Sequence, residues 1–136
     1  MTHAPVPPGA TIGFLGGGQL GRMTAMAART MGYDVRILDP ERDCPARPVA
    51  SHVITAPWAD TAAAAELARG CAAVTLEIEQ IPRASLEAAA AVAPLCPSVE
   101  AVYVIQERAR QKEWLASNGF PLGPFRTVRH AATAAD

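Results

Sequence analysis

The chain has 136 residues, half of them hydrophobic, with 12 Lys plus Arg against 13 Asp plus Glu and a net charge of −1. That length predicts one domain, or one domain with part of a second, with enough apolar surface for a core that needs no disulfide or metal. The near-neutral balance and scattered basic residues argue against nucleic acid and anionic membrane as partners, and no apolar run approaches the roughly 20 residues of a membrane helix.

The three cysteines, Cys44, Cys71 and Cys96, are far apart and form no C-x-x-C pair, and His3, His52 and His130 are widely spread. This pattern predicts reduced thiols in a cytoplasmic protein and no metal site. Residues 1–10, with Pro5, Pro7 and Pro8, are expected to form a flexible leader that is neither signal peptide nor anchor.

A short apolar strand is expected at 11–15, a glycine turn at 16–18 and a helix over 19–30 that Gly32 ends. A second strand, 34–39, stops at Pro40, and the loop over 40–51 has room for one helical turn. A third strand at 52–55 leads to a helix capped by Asp60 and stopped by Gly70, and a fourth strand is expected at 72–76. A helix follows over 83–92. Two prolines restrict 94–97 to a sheet edge, and further helices are expected at 98–105 and 106–118, with Gly119 as the last cap. Phe125–Val128 is expected to begin a strand, and 130–136 a helix. Alternation of short strands and helices predicts an α/β fold, an open and mostly parallel sheet with helices on both faces.

Gly16, Gly18 and Gly21 satisfy G-x-G-x-x-G between a strand and a helix. In such a turn the first glycine permits the bend, the second lets a phosphate approach the main chain, and the third lets helix and strand pack closely. The helix N-terminus then favours an anion. Asp39 ends the second strand 18 residues after Gly21. It either holds the ribose hydroxyls of a dinucleotide such as NAD or caps the loop. Glu77 and Glu79 follow the fourth strand, at the end where open α/β sheets bind ligands, and two-residue spacing on an extended segment turns both toward that crevice. There they would hold hydroxyls or an amine, or else be solvated loop acids. Arg108, Arg110 and Lys112 read as a solvated helix face, and Trp58, Trp114, Met23, Met26 and Met31 as packing residues.

Together these residues resemble a known family. Ile12-Gly-Phe-Leu-Gly-Gly-Gly-Gln-Leu-Gly-Arg-Met23 is similar to the opening of the 5-(carboxyamino)imidazole ribonucleotide synthases, of the ATP-grasp superfamily. The similarity continues through Leu38-Asp-Pro40, Cys44-Pro-Ala46, Val49-Ala50, Thr75-Leu-Glu-Ile-Glu-Gln-Ile-Pro82, Pro97-Ser98, Gln106-Glu-Arg108 and Lys112. The related formate-using glycinamide ribonucleotide transformylase carries Glu where Gln19 stands here, so Gln19 and Met23 favour the carboxylating family. Leu76 and Ile78 depart from it, standing where aromatics are common.

The resemblance implies a Rossmann-like pre-ATP-grasp domain over 11–105 that does not use NAD. Residues 106–136 would be a linker helix and the start of an incomplete ATP-grasp domain. It implies that Gly18, Gln19, Leu20 and Glu77 bind aminoimidazole ribonucleotide, that Arg108 meets ATP, and that the whole enzyme is a homodimer that uses ATP, Mg2+ and bicarbonate in purine biosynthesis. The family's ATP-grasp lysines and magnesium-binding carboxylates lie downstream of the residues present, so the chain is expected to be inactive alone and to carry no catalytic residue. The rival expectation is a non-catalytic NAD- or nucleotide-binding Rossmann module that reads ribose through Asp39.

Overall fold

The computed structural model describes residues 5–128. They fall into two compact units, one running to Val99 and the other starting at Glu100.

The first unit is built on four parallel strands, β1 (Thr11–Leu15), β2 (Asp34–Asp39), β3 (His52–Thr55) and β4 (Ala73–Leu76), in the order β3-β2-β1-β4. The chain moves from β1 to β2 in one direction and from β3 to β4 in the other. Right-handed crossovers then place α1 (Gln19–Thr30) and α2 (Thr61–Ala68) on opposite faces. The alternation of side chains along β1 and β2 agrees. Phe14, Val35 and Ile37 pack with Ala25 and Ala28 of α1, whereas a Cβ at Gly13 would meet Leu67 and Cys71 on the α2 side. Arg36, also on that side, donates to Arg69 O and pairs with Glu66 at 3.6 Å. α3 (Arg83–Ala90) packs on α2.

Local chemistry explains the element ends. Asp60 caps α2 by accepting the Ala63 N–H at 2.9 Å. Gly32, at φ +87°, takes the left-handed conformation that stops α1. The loop after β2 holds a single 3-10 turn at Arg47–Val49. Leu95, flanked by the two prolines of its segment, adds one parallel bridge to Val74 at the sheet edge.

Four expectations are corrected. Residues 5–10 are not loose, since Tyr33 Oη–H donates to Val6 O and Gly9 N–H to Gly32 O, both at 2.8 Å. Met23, Met26 and Met31 are 58%, 49% and 60% exposed rather than packed, because α1 turns its small residues Gly21, Ala25 and Ala28 to the sheet. Trp114 is 45% exposed and stacks on Phe120 at 5.9 Å. Phe125–Val128 forms no strand, because no described segment of the second unit offers it a ladder partner. That unit carries α4 (Val99–Ile105) from its second residue position onward and α5 (Arg108–Ser117), and the helix expected at 130–136 lies outside the described residues.

The turn after β1 is held from the β2 side. Gly16 N–H donates to Leu38 O (2.9 Å), Ala46 N–H donates to Gly17 O (2.8 Å), and Gly17 N–H donates to Asp39 Oδ2 at 2.7 Å. Gly17 has no room for a side chain, since a Cβ there would lie 2.6 Å from Cys44 Sγ and 2.9 Å from Ile37 Cγ2. Gly17→Ala is therefore expected to destabilise the fold by about 1–3 kcal/mol. Adding Cys44→Ala should return part of that loss, and urea melts of the double-mutant cycle measure it.

Burial pushes the Cys44 and Cys71 thiols above the ordinary range, and the nearby Asp39 carboxylate adds to the rise at Cys44. The folded state thus holds these protons more tightly than the unfolded chain. The resulting stability is whole below about pH 8.5 and is lost as pH rises through the folded values. Urea melts above about pH 9 should show the wild type losing more stability than a Cys44→Ala, Cys71→Ala variant. Exposed Cys96 should alkylate first and buried Cys44 last.

Candidate functional site

β1 and β4 are adjacent and parallel, so their carboxyl ends emerge side by side. Glu77 N–H still donates to Leu15 O at 3.0 Å, which fixes Glu77 beside the glycine turn. A cavity of about 230 Å3 opens there, bounded by Gly16, Gly18, Asp39, Cys44, Trp58 and Glu77 among others.

Two carboxylates serve this cavity in opposite ways. Asp39 is 5% exposed and fully engaged with backbone, its Oδ2 accepting from Gly17 N–H and its Oδ1 from Glu41 N–H at 2.8 Å. It is the loop cap of the two roles open to it, and charge-assisted bonds of this kind are the strong ones. Glu77 makes no such bonds. Its Oε2 is buried and has no hydrogen-bond partner among the described residues. Its carboxylate lies against the turn: a Cβ at Gly18 would fall 2.3 Å from Glu77 Oε1, and one at Gly21 would fall 2.5 Å from Oε2 and 2.9 Å from Gly16 O.

The glycines therefore have roles somewhat different from those the motif suggests. Gly16, at φ +100°, makes the bend. Gly18 leaves space that a carboxylate fills, where the motif reserves it for a phosphate. Gly21 admits both that carboxylate and the close approach of α1 to the Gly16 carbonyl.

Gln19 and Leu20 open α1 with exposed side chains, and neither is among the residues that bound the cavity, whereas Gly18 is. Glu79 does not join Glu77. It is exposed, because the chain leaves β4 at Leu76 and strand alternation no longer applies, and Ile78 borders the cavity instead. Trp58 is the residue missed by sequence reading: it borders the cavity, and its indole Nε1 is buried without a hydrogen-bond partner among the described residues. Its place three residues beyond β3 was the available signal, since parallel sheets put ligands at their strands' carboxyl ends.

Arg108 begins α5 in the second unit. Its guanidinium donates to Gln111 Oε1 at 2.6 Å, and it borders a groove of about 260 Å3 with Lys112, Phe125 and Arg126. Lys112 Nζ lies 5.7 Å from the Phe125 ring centroid. Arg110 lies 3.5 Å over the Tyr103 ring and donates to Tyr103 O. Among the described residues no group of three or more His, Cys, Asp or Glu has the arrangement of a metal site.

Comparisons with known proteins follow this geometry. Residues 9–106 match the family model described as the ribonucleotide synthetase preATP-grasp domain. The N5-carboxyaminoimidazole ribonucleotide synthase of Brucella melitensis is 41% identical over 128 residues, covering 94% of this chain and 35% of the relative. Among solved structures, the N5-carboxyaminoimidazole synthetase of Staphylococcus aureus complexed with ADP superposes with a TM-score of 0.89 at 38% identity, over 96% of this chain and 35% of that one. The enzyme of Aspergillus clavatus, in complex with ADP and 5-aminoimidazole ribonucleotide, gives 0.78 at 35% identity, over 85% and 31%. The chain thus spans about a third of the length of the relatives it matches. With its parallel sheet, glycine turn and family match in agreement, the chain belongs to the ribonucleotide synthetase preATP-grasp domain family.

Proposed function

We propose that this domain binds 5-aminoimidazole ribonucleotide in the cavity beside the glycine turn. There it would serve the ATP- and bicarbonate-dependent carboxylation of that nucleotide in purine biosynthesis. The observation that carries this reading is the Glu77 carboxylate, buried in part, unpartnered and facing the turn. Such a group calls for a ligand bearing hydrogen-bond donors, which ribose hydroxyls and an exocyclic amine supply. The Aspergillus clavatus relative, solved with the same ribonucleotide, supports it. Main chain at Gly18, Gln19 and Leu20 and the Glu77 side chain would hold the ligand. The contribution to catalysis is positioning: a fixed ribonucleotide presents its amine to an activated carboxyl.

Arg108 would meet ATP, a reading supported by the groove it shares with Lys112 and Arg126 and by the ADP in the Staphylococcus aureus relative. Among the described residues no group of three or more His, Cys, Asp or Glu could hold the Mg2+ that the family uses. We place the protein in the cytoplasm, and we read the exposed Leu20, Met23 and Met26, at successive i+3 positions of α1, as support for a homodimer. Asp39 favours this function over a dinucleotide module, since both its oxygens are already bonded to backbone.

Calorimetry with aminoimidazole ribonucleotide and NADH in parallel tests the reading. The ribonucleotide should bind, and Glu77→Gln should weaken it by about tenfold or more, the equivalent of losing charged hydrogen bonds worth ~1.5–3 kcal/mol. Tight NADH binding that Asp39→Ala abolishes would sink it. In a bicarbonate-dependent ATP hydrolysis assay the 136-residue chain is expected to show no turnover.

A further inference from the structure

We propose that Trp58 is a recognition residue of the ligand cavity: its indole N–H donates to a hydrogen-bond acceptor on the bound nucleotide. The proposal rests on the ribonucleotide reading for the ligand and adds to it a group that selects by acceptor.

A closed turn places Trp58. Ala56 N–H donates to Asp39 O at 3.3 Å, which ties the segment after β3 to the end of β2. Asp60 N–H donates to Pro57 O at 2.9 Å, closing a turn in which Trp58 is the first central residue. Asp60 then caps α2 through its side chain. Bonds within the protein thus fix the backbone on both sides of Trp58, and the residue borders the cavity.

The side chains on that wall are lopsided in their chemistry. Asp39, Glu41 and Glu77 bring carboxylate acceptors, and Cys44 brings a weak thiol donor. Among the described residues that border the cavity, Trp58 alone has a side-chain N–H. That nitrogen is shut off from solvent and has no acceptor among the described residues. Packing accounts for an aromatic ring here but not for the donor, since phenylalanine would fill a packing role without stranding an N–H. Buried donors are as a rule paired. An acceptor brought by the ligand supplies the missing partner, and the ring turns to it within the broad well of its second side-chain torsion. Aminoimidazole ribonucleotide offers acceptors of two kinds, the oxygens of its sugar phosphate and the bare ring nitrogen of its heterocycle. Either presents a lone pair to an N–H.

The test follows the indole N–H resonances of the 136-residue chain, which has two tryptophans. Trp114→Phe assigns the Trp58 signal, and Trp114, stacked on Phe120 in the second unit, is the internal control. Saturation with aminoimidazole ribonucleotide should move the Trp58 indole proton downfield and leave that of Trp114 in place. The same shift with ribose 5-phosphate assigns the acceptor to the sugar phosphate, and a shift with the whole nucleotide only assigns it to the heterocycle. Trp58→Phe, which keeps an aromatic ring and removes the N–H, should weaken binding by about fivefold to tenfold in calorimetry, as loss of one hydrogen bond predicts. The wild-type resonance decides the matter even where Trp58→Phe folds poorly. The proposal is overturned if the Gly16 and Gly18 amides report bound nucleotide while the Trp58 indole proton does not move, or if Trp58→Phe binds as tightly as wild type. The ribonucleotide reading survives either of those results. No shift at the glycine amides or at the indole under saturating nucleotide would overturn both.

Discussion

The contact on which the site depends is the bond from Gly17 N–H to the Asp39 carboxylate. It joins the first turn of the sheet to the end of the neighbouring strand, and both partners are buried. A main-chain N–H buried without an acceptor is costly, and a carboxylate buried without donors more so. Each is tolerable only because the other is there. The turn is held by bonds within the protein itself, and the path of α1 follows from it.

That arrangement divides the labour of two carboxylates with similar sequence signatures. Asp39 has the position of a ribose-binding acid but has been drawn into the scaffold, its oxygens committed to Gly17 and Glu41. Glu77 has the looser signature of a loop acid, yet its carboxylate is left unsatisfied in a cavity. An unsatisfied buried polar group costs stability, and proteins keep such groups where function needs them.

Much of the fold was legible because strong local signals agreed. The Asp60 cap, Gly32 as a stop and the four apolar strands all appear where spacing placed them. Side-chain direction was less legible. The Met23, Met26 and Met31 stripe reads as a core face by hydropathy, but the helix approaches the sheet too closely for large side chains and buries alanines instead. Glu79 was misread for a related reason: period-two alternation holds only while the chain remains a strand, and β4 ends at Leu76. Trp58 escaped because a bulky aromatic reads as packing, and only its place beyond β3 sets it at the ligand end of the sheet.

The small inner face of α1 has one more consequence. Gly21, Ala25 and Ala28 are the spacers that set how near the helix lies to β1 and β2. The Gly18 end of the same rigid helix sets how much room remains in front of Glu77. Core volume and cavity aperture are thus geared together: a single methylene added under the helix at Ala25 or Ala28 would displace the helix and, through Gly18, change the space in front of Glu77 without altering any residue that lines the cavity.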